Sequence, residues 1–213
     1  MKTKLIRKQN GTCIAAIKSR TGKIVMAADR RASWDMSQAQ TMPRAKLVYR
    51  NGLILAGTGD GFLCHLIVDI LDFPPYLSDY DQDSYLHGDF YNSIRRLLDR
   101  KGMMDKDKML KIPVDVDAEI LIACGGRLYL MDIFNPSDTD NYPHGLITLD
   151  EAALPFAAGC GGQLAWGALL QQDKLLKEKG LKLSNTDRLI QALNVAADVS
   201  PGCNNIIDIC TEK

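Results

Sequence analysis

The sequence lacks the usual signatures of a metal, nucleotide or serine-hydrolase site. Its three histidines show neither the His-Glu-x-x-His pattern nor the cysteine and histidine spacing of zinc proteins; they are His65, His87 and His144. There is no Walker loop and no Gly-x-Gly-x-x-Gly after a strand-like segment, so nothing favours a bound nucleotide. A Gly-x-Ser-x-Gly elbow is also absent. We therefore expect no metal ion and no cofactor.

The chain also lacks a charge bias, a secretion signal and a membrane span. Lys plus Arg balance Asp plus Glu at 26 each, so no overall field attracts nucleic acid or anionic lipid. No segment approaches the roughly 20 consecutive apolar residues of a transmembrane helix. The six cysteines include no Cys-x-x-Cys pair, and the basic start of the chain has no apolar stretch of signal-peptide length. We expect a cytoplasmic protein with reduced thiols and no nucleic-acid or membrane partner.

The residues that are present suit one globular domain. Of the 213 residues, 46% are apolar and 24% are charged, which is typical of a soluble protein. Alternating apolar residues predict several short strands, two of which flank Asn51-Gly52, a pair that suits a tight hairpin turn. Apolar residues at helical spacing predict four helices, at about 63–71, 90–98, 164–176 and 184–197.

The order of these elements predicts segregated layers. Strands come first, then two helices, more strands, two helices and a last strand, which favours an antiparallel α+β fold over alternating βαβ units. Two sheets sandwiched by helices fit that order. The segments 75–88 and 135–143, rich in turn-forming residues, are predicted to be loops.

Three residues in the first quarter of the chain suggest a chemistry. Thr12 follows Gly11 and opens a predicted strand, Asp29 ends the next strand, and Lys46 opens the third. A threonine hydroxyl needs a base, and a free α-amino group on the same residue is one. That role requires cleavage after Gly11, where glycine permits the strained turn that brings the hydroxyl onto its own preceding carbonyl. Taken singly, each residue also fits an ordinary structural role.

Three segments carry a resemblance to a known family. They are GTCIAAIKSRTGKIVMAADRRAS from Gly11, RAKLVYRNGLILAGTGDG from Arg44 and FAAGCGGQLAWGALL from Phe156. Over nearly the whole chain from Gly11, the sequence resembles the β-type subunits of the proteasome and the related HslV peptidase, which are N-terminal-nucleophile (Ntn) hydrolases. The resemblance implies a four-layer αββα sandwich of two antiparallel sheets between helix pairs. It also implies a short propeptide over residues 1–11 and a single peptidase domain over residues 12–213.

The resemblance assigns roles to the residues already singled out. Thr12 becomes the nucleophile, and its freed amino group becomes the general base. The positive charge of Lys46 lowers the proton affinity of the hydroxyl and the amine, and Asp29 keeps Lys46 charged. The backbone amide of Gly57 is the expected oxyanion donor.

The C-terminal half departs from the family pattern. Cys160 stands where the family has a serine in a Gly-Ser-Gly turn, and a thiol is the weaker hydrogen-bond donor. Asp198 stands where the family places a second carboxylate. Three residues later Pro201 replaces an expected serine, with Ser200 just before it. Cys160 and Cys13 have no histidine neighbour in the sequence and are interpreted as inert buried thiols.

The implied function is that of a self-processing threonine endopeptidase, made as a zymogen and assembled into a ring-shaped chamber. Rings of roughly six or seven copies of this chain are implied, with peptides or unfolded proteins as substrates and an ATP-dependent unfoldase as a partner. The substrate pocket is expected to be lined by Ala32, Arg44 and Leu55, with Arg44 allowing acidic side chains.

Two other functions fit the same residues. A non-catalytic ring or scaffold subunit is favoured by Cys160 and Pro201, whereas the presence of Thr12, Asp29 and Lys46 argues against it. A small-molecule Ntn amidase would use the same nucleophile without a ring chamber.

Overall fold

The computed structural model describes residues 11–33, 39–113, 116–135, 145–180 and 182–213. Two antiparallel sheets stack face to face, and helices cover both outer faces, so the predicted four-layer α+β sandwich is confirmed. Residues 1–10 of the predicted propeptide, His144 and the predicted loop after Asn135 lie outside the described residues. None of the described helices is long and apolar enough to cross a membrane.

The strands form a four-stranded sheet in the order β10-β1-β2-β11 and a five-stranded sheet in the order β5-β6-β7-β8-β9, and β3 and β4 form a small ribbon. Strands β1 and β2 lie in the middle of their sheet, with one face toward helices and the other toward the second sheet, which explains their continuous apolar sequences. The strands are β1 (Cys13–Lys18), β2 (Ile24–Asp29), β3 (Arg31–Ser33), β4 (Ala39–Thr41), β5 (Leu47–Arg50), β6 (Leu53–Gly59), β7 (Asp117–Cys124), β8 (Arg127–Phe134), β9 (Leu146–Glu151), β10 (Phe156–Gly159) and β11 (Ile207–Thr211).

The hairpin between β5 and β6 turns as its sequence predicts. Asn51 and Gly52 have φ values of 51° and 86°, the positive values that a two-residue turn of this kind requires. The turn sets the register in which Leu47 pairs with Ala56. It thereby fixes where Lys46, just before β5, lies relative to the end of β6.

The four predicted helices are present, but one begins earlier than the sequence indicated. The helices are α1 (Gly61–His65), continued by a π-helical segment (Leu66–Ile70); α2 (Gln82–Tyr85), continued by a second π-helical segment (Leu86–Phe90); α3 (Tyr91–Arg100); α4 (Gly162–Lys179); and α5 (Asn185–Val199). The predicted loop over 75–88 is therefore wrong in its second half, from Gln82 onward. Asp81 caps α2 by accepting a hydrogen bond from Ser84 N, and Tyr85 is buried, so the polar residues here are a helix cap and an exposed helix face.

Three layers of buried side chains hold the sandwich together. One layer lies between the five-stranded sheet and α1 to α3, one between the two sheets, and one between the four-stranded sheet and α4 and α5. Alternation along β6 sends Leu53 and Leu55 to the helix side and Ile54 and Ala56 to the other sheet. The start of β1 and the ends of β2 and β6 meet at one end of the sandwich, and the candidate site lies there.

Candidate active site

Thr12 lies immediately before β1 and is almost completely buried, with 6% of its surface exposed. Its hydroxyl Oγ1 donates to the carbonyl oxygen of Gly11 at 2.6 Å. Lys46 Nζ donates to the same hydroxyl at 2.7 Å. The hydroxyl is therefore held between the preceding carbonyl group and an amine.

Lys46 connects four groups of the site through its amino group. Besides Thr12 Oγ1, Nζ donates to Asp29 Oδ1 at 2.9 Å, to Gly11 O at 3.2 Å and to Arg31 O. Only 12% of the Lys46 side chain is exposed. Burial lowers the pKa of Lys46, and the neighbouring charge of Asp29 opposes that shift without cancelling it. Lys46 therefore loses its proton more readily than an exposed lysine does.

Asp29, the last residue of β2, is fully buried, and both of its carboxylate oxygens accept hydrogen bonds. Oδ1 accepts from Cys13 N at 3.0 Å as well as from Lys46, and Oδ2 accepts from Asn204 N at 3.0 Å. A buried carboxylate is stable only when its lone pairs are satisfied in this way. Asp29 thus joins the start of β1, the lysine and the segment that precedes β11.

A cavity of about 640 Å³ opens beside Thr12. Ala32 and Arg44 line it, as expected from the sequence, and Gly57 forms part of its wall. Other lining residues are Met42, Pro43, Ala45, Thr58, Asp60, Phe62, Cys64, His65, Val68 and Asp69. His65 Nδ1 lies 2.7 Å from Asp69 Oδ2, so these two side chains form a polar pair in the wall.

Leu55 does not line this cavity, which corrects one sequence expectation. The residue is fully buried and packs in the layer between the five-stranded sheet and α1 to α3. The reason is the alternation along β6, which turns its side chain toward the helices.

Gly57 is a glycine because α1 packs directly on it. A Cβ at this position would lie 2.9 Å from Cys64 Sγ and 3.0 Å from Cys64 Cβ. The pairing of β5 with β6 ends at Leu47 and Ala56, so Gly57 is the first residue of β6 beyond that pairing. Its backbone adjoins the cavity.

Cys160 lies on the other side of Thr12. Its Sγ accepts a hydrogen bond from Thr12 N at 3.3 Å, and Ser200 Oγ donates to the same sulfur at 3.7 Å. The preceding Gly159 has φ 87°, and a Cβ there would lie 2.2 Å from Thr12 O. The contact with Cys203 and burial both raise the pKa of the Cys160 thiol, which therefore stays protonated.

Asp198 makes no hydrogen bond with Thr12, and the role that the resemblance gives it stays a prediction. Its side chain is exposed near the C-terminal end of α5 and makes no hydrogen bond with the residues that the structure describes. Ser200, at the C-terminal cap of α5, reaches Cys160 instead. Sequence reasoning named Ser200 without a role and missed Asn204, because a backbone donor to Asp29 leaves no pattern in the sequence.

The arrangement suits nucleophilic chemistry at a threonine hydroxyl. Among the described residues, no group of three or more His, Cys, Asp or Glu side chains is arranged to hold a metal. A hydroxyl, an amine with a lowered pKa and a buried carboxylate lie in sequence along one line of hydrogen bonds, next to an open cavity. Such a line can activate a hydroxyl for attack on a carbonyl group.

Comparison with known proteins gives structural matches only. No protein family and no curated protein matches the sequence significantly. BPH from Thiobacillus denitrificans, solved in complex with epoxomicin, is 17% identical with a TM-score of 0.62, covering 94% of this chain and 97% of that one. HslV from Trypanosoma brucei is 13% identical with a TM-score of 0.56, covering 94% and 98%. Anbu, the ancestral β-subunit, from Yersinia bercovieri is 16% identical with a TM-score of 0.57, covering 94% and 81%. The chain therefore has the fold of these proteasome-like proteins.

Proposed function

We propose that this chain is a self-processing threonine endopeptidase, in which Thr12 becomes the N-terminal nucleophile after the bond from Gly11 to Thr12 is cut. The observation that carries the proposal is the position of Thr12 Oγ1, which contacts both the carbonyl oxygen of Gly11 and Lys46 Nζ. A buried threonine at the start of a strand needs no such amine for its stability. The same amine is paired with Asp29, a pairing that also holds it in place.

Self-processing would begin with attack of Thr12 Oγ1 on the carbonyl carbon of Gly11. The new C–O bond forms an ester as the C–N bond breaks, and the released nitrogen becomes the free amine of Thr12. Lys46 Nζ, 3.2 Å from Gly11 O, supports the negative charge that develops on that oxygen. Water then hydrolyses the ester and releases residues 1–11.

Lys46 is the proposed base for this first step. In the unprocessed chain Thr12 N is an amide and cannot take the hydroxyl proton, whereas Lys46 Nζ lies 2.7 Å from the oxygen. The lowered pKa of Lys46 makes the neutral amine more accessible than in an exposed lysine.

After processing, the α-amino group of Thr12 would take over as the base. Its ordinary pKa of about 8 suits proton transfer near neutral pH. Cys160 and Ser200 would hold that amine, since the sulfur already accepts from the same nitrogen. Gly57 would supply the oxyanion donor, because its backbone adjoins the cavity beside Thr12.

The cavity would receive a substrate side chain. Its wall is largely apolar, with Met42, Phe62 and Val68 among its residues, and it carries the cation of Arg44. We expect apolar side chains to bind and Arg44 to allow acidic ones. We further propose a cytoplasmic homo-oligomeric ring with peptide or unfolded-protein substrates and an ATP-dependent unfoldase as partner, on the strength of the fold shared with HslV and Anbu.

Peptide hydrolysis and labelling test the proposal together. The wild-type protein should cleave a panel of fluorogenic peptides and gain the mass of one epoxomicin, the ligand of the similar BPH structure, per chain. Thr12→Ala should do neither, and Thr21→Ala, which alters an exposed hairpin threonine, should do both. Hydrolysis by Thr12→Ala equal to that of the wild type would exclude Thr12 as the nucleophile.

A non-catalytic ring subunit is the second candidate, and the weak sulfur contact to Thr12 N is the observation that favours it. Native mass spectrometry separates the possibilities. Rings without hydrolysis or labelling would support the scaffold, and hydrolysis of small amides by a monomer would support an Ntn amidase.

A further inference from the structure

Two thiols lie in contact directly beside Thr12. Cys160 Sγ is 3.6 Å from Cys203 Sγ, and Cys160 Sγ also accepts the hydrogen bond from Thr12 N. Cys160 lies in the turn before α4 and Cys203 in the turn after α5, and both are free thiols. A disulfide needs an S–S distance of about 2.05 Å, so a small movement of the two side chains would close the gap.

The close approach is built into the backbone by two glycines. Gly161 follows Cys160 and packs on the other thiol, because a Cβ there would lie 2.5 Å from Cys203 Sγ. Gly202 precedes Cys203 and packs on the sulfur of Cys160, because a Cβ there would lie 2.6 Å from Cys160 Sγ. A Cβ at either position would displace the facing sulfur. The two turns are thus shaped to hold the sulfurs together.

We propose that Cys160 and Cys203 form a dithiol site that a peroxide-class oxidant closes into a disulfide, and that closure switches off the nucleophile at Thr12. The second half of this proposal rests on the proposed peptidase function. Closure draws Cys160 Sγ toward Cys203 and removes the acceptor that holds Thr12 N. In the processed enzyme this nitrogen is the proposed base, so a displaced sulfur leaves the base misoriented.

The reaction balances with hydrogen peroxide as the oxidant. The sulfur of Cys160 attacks one peroxide oxygen, the O–O bond breaks, and a sulfenic acid and one water form. The sulfur of Cys203 then attacks the sulfenic sulfur, the S–S bond forms, and the hydroxide leaves with the thiol proton as a second water. Two thiols give up two electrons and the peroxide takes them. A reducing dithiol reverses the change by thiol–disulfide exchange.

Exposure decides which thiol reacts first. Cys160 is partly exposed, whereas only 3% of Cys203 is exposed, so Cys160 meets the oxidant and Cys203 resolves the sulfenic acid. The pKa values of both thiols are raised, so closure is expected to be slower than at an exposed reactive cysteine. Cys13, which is fully buried and also contacts Cys203, is the competing partner.

Peptide mapping tests the disulfide without any need for activity. Full-length Thr12→Ala and wild-type protein are treated with hydrogen peroxide, blocked with N-ethylmaleimide, digested and analysed by mass spectrometry. The expected result is a linked peptide pair containing Cys160 and Cys203, which dithiothreitol removes. The proposal would be overturned by a link from Cys13 to Cys203 or by oxidation of Cys160 alone. It would also be overturned if every cysteine still reacted with N-ethylmaleimide after the peroxide treatment.

Hydrolysis tests the consequence. Peroxide should lower peptide hydrolysis by the wild type by roughly twofold to tenfold, as loss of a hydrogen bond to the base predicts, and dithiothreitol should restore it. Cys160→Ser, which lacks the thiol that meets the oxidant first, should resist peroxide, and the control Cys210→Ser, at a partly buried thiol on β11, should respond like the wild type. A closed disulfide with unchanged hydrolysis, or equal sensitivity of Cys160→Ser, would overturn the switch. Should the wild type not process itself, the proposed function fails, while the mapping still decides the disulfide.

Discussion

The two sides of the site around Thr12 are held in different ways. The charged half, Asp29 and Lys46, is almost completely buried and joined by hydrogen bonds of 2.7 to 3.0 Å. The thiol half, Cys160, Ser200 and Cys203, is joined by sulfur contacts of 3.3 to 3.7 Å. Charge-assisted hydrogen bonds are the stronger kind, and thiols are weak donors and acceptors. In the proposed mechanism, the charged half therefore activates the hydroxyl, and the thiol half adjusts the position of the nitrogen.

Removal of the amine should have the largest effect. Lys46→Met leaves Thr12 Oγ1 without a base or a cation, and self-processing should fall on the order of 10³-fold, as the loss of a general base predicts. The measurement is the processed fraction against time by intact-mass spectrometry. Lys23→Met, at an exposed lysine of the first hairpin, is the matched control and should process normally. Normal processing by Lys46→Met would remove the charged half from the mechanism.

Asp29→Asn should cost stability as well as activity. The change leaves the buried Lys46 without its counter-charge, and breaking one side of a buried ion pair costs about 3 to 5 kcal/mol. The free energy of unfolding in urea measures this cost. Asp208→Asn breaks the more exposed pair with Arg30 and should cost about 1 kcal/mol or less. Equal losses of unfolding free energy in the two variants would show that burial adds nothing to the stability that the Asp29–Lys46 pair provides.

Gly57→Ala should strain the contact between β6 and α1. The new methyl would meet Cys64 Sγ at 2.9 Å, and overpacking of this kind costs about 1 to 3 kcal/mol. Cys64→Ala in the same chain removes that sulfur and should restore part of the stability, because Cys64 Cβ and Ile120 Cδ1 remain at 3.0 and 3.1 Å. If the double variant is stable yet hydrolyses peptides poorly, the backbone at position 57 serves the reaction; if hydrolysis also returns, the glycine serves packing alone.

The pH dependence of self-processing should report Lys46. Its pKa lies below the ordinary 10.5, so the processing rate should rise about tenfold per pH unit and level off below pH 10.5. Between the lowered pKa and 10.5, the unfolded chain binds the lysine proton that the folded chain has lost, so stability also rises with pH in that window. Stopped processing reactions at a series of pH values measure the first effect. If the processing rate levels off only at pH 10.5 or above, burial does not lower the pKa of this amine.

The thiol half should give the smallest effects. Cys160→Ser replaces a weak acceptor by a stronger one, and peptide hydrolysis should rise by roughly threefold or less, within the net worth of a hydrogen bond. Asp198→Asn should change hydrolysis by less than about twofold, because its side chain is exposed and makes no hydrogen bond with Thr12. Steady-state kinetics of the two variants measure both changes. A large loss in Asp198→Asn would restore the role that the sequence assigned to this carboxylate.

The same contrast explains what the sequence could predict. Strand and helix periodicity predicts the elements and an order that fits two sheets sandwiched by helices, and the hairpin at Asn51 follows from its turn residues. The four-layer arrangement itself is what the family resemblance implies. Thr12, Asp29 and Lys46 stand at strand ends. The register of β1 with β2 places Thr12 close to Asp29, whereas Lys46, just before β5 in the other sheet, meets them through the stacking of the two sheets. The resemblance predicts where Leu55 lies along β6, and that position is close to the pocket. It does not predict which face of the sheet the side chain takes, because the pleat of the strand decides that. The meeting of Cys160 with Cys203 and Ser200 depends on how α4 and α5 pack, which no local pattern contains.

Intact mass of the purified wild-type protein beside Thr12→Ala tests the central claim most directly, since it asks whether Thr12 releases its own leader. We expect the wild type to have lost residues 1–11 and to begin at Thr12, and Thr12→Ala to keep them. If both proteins keep the leader, or if both lose it at the same bond, Thr12 is not a self-processing nucleophile and the account is wrong.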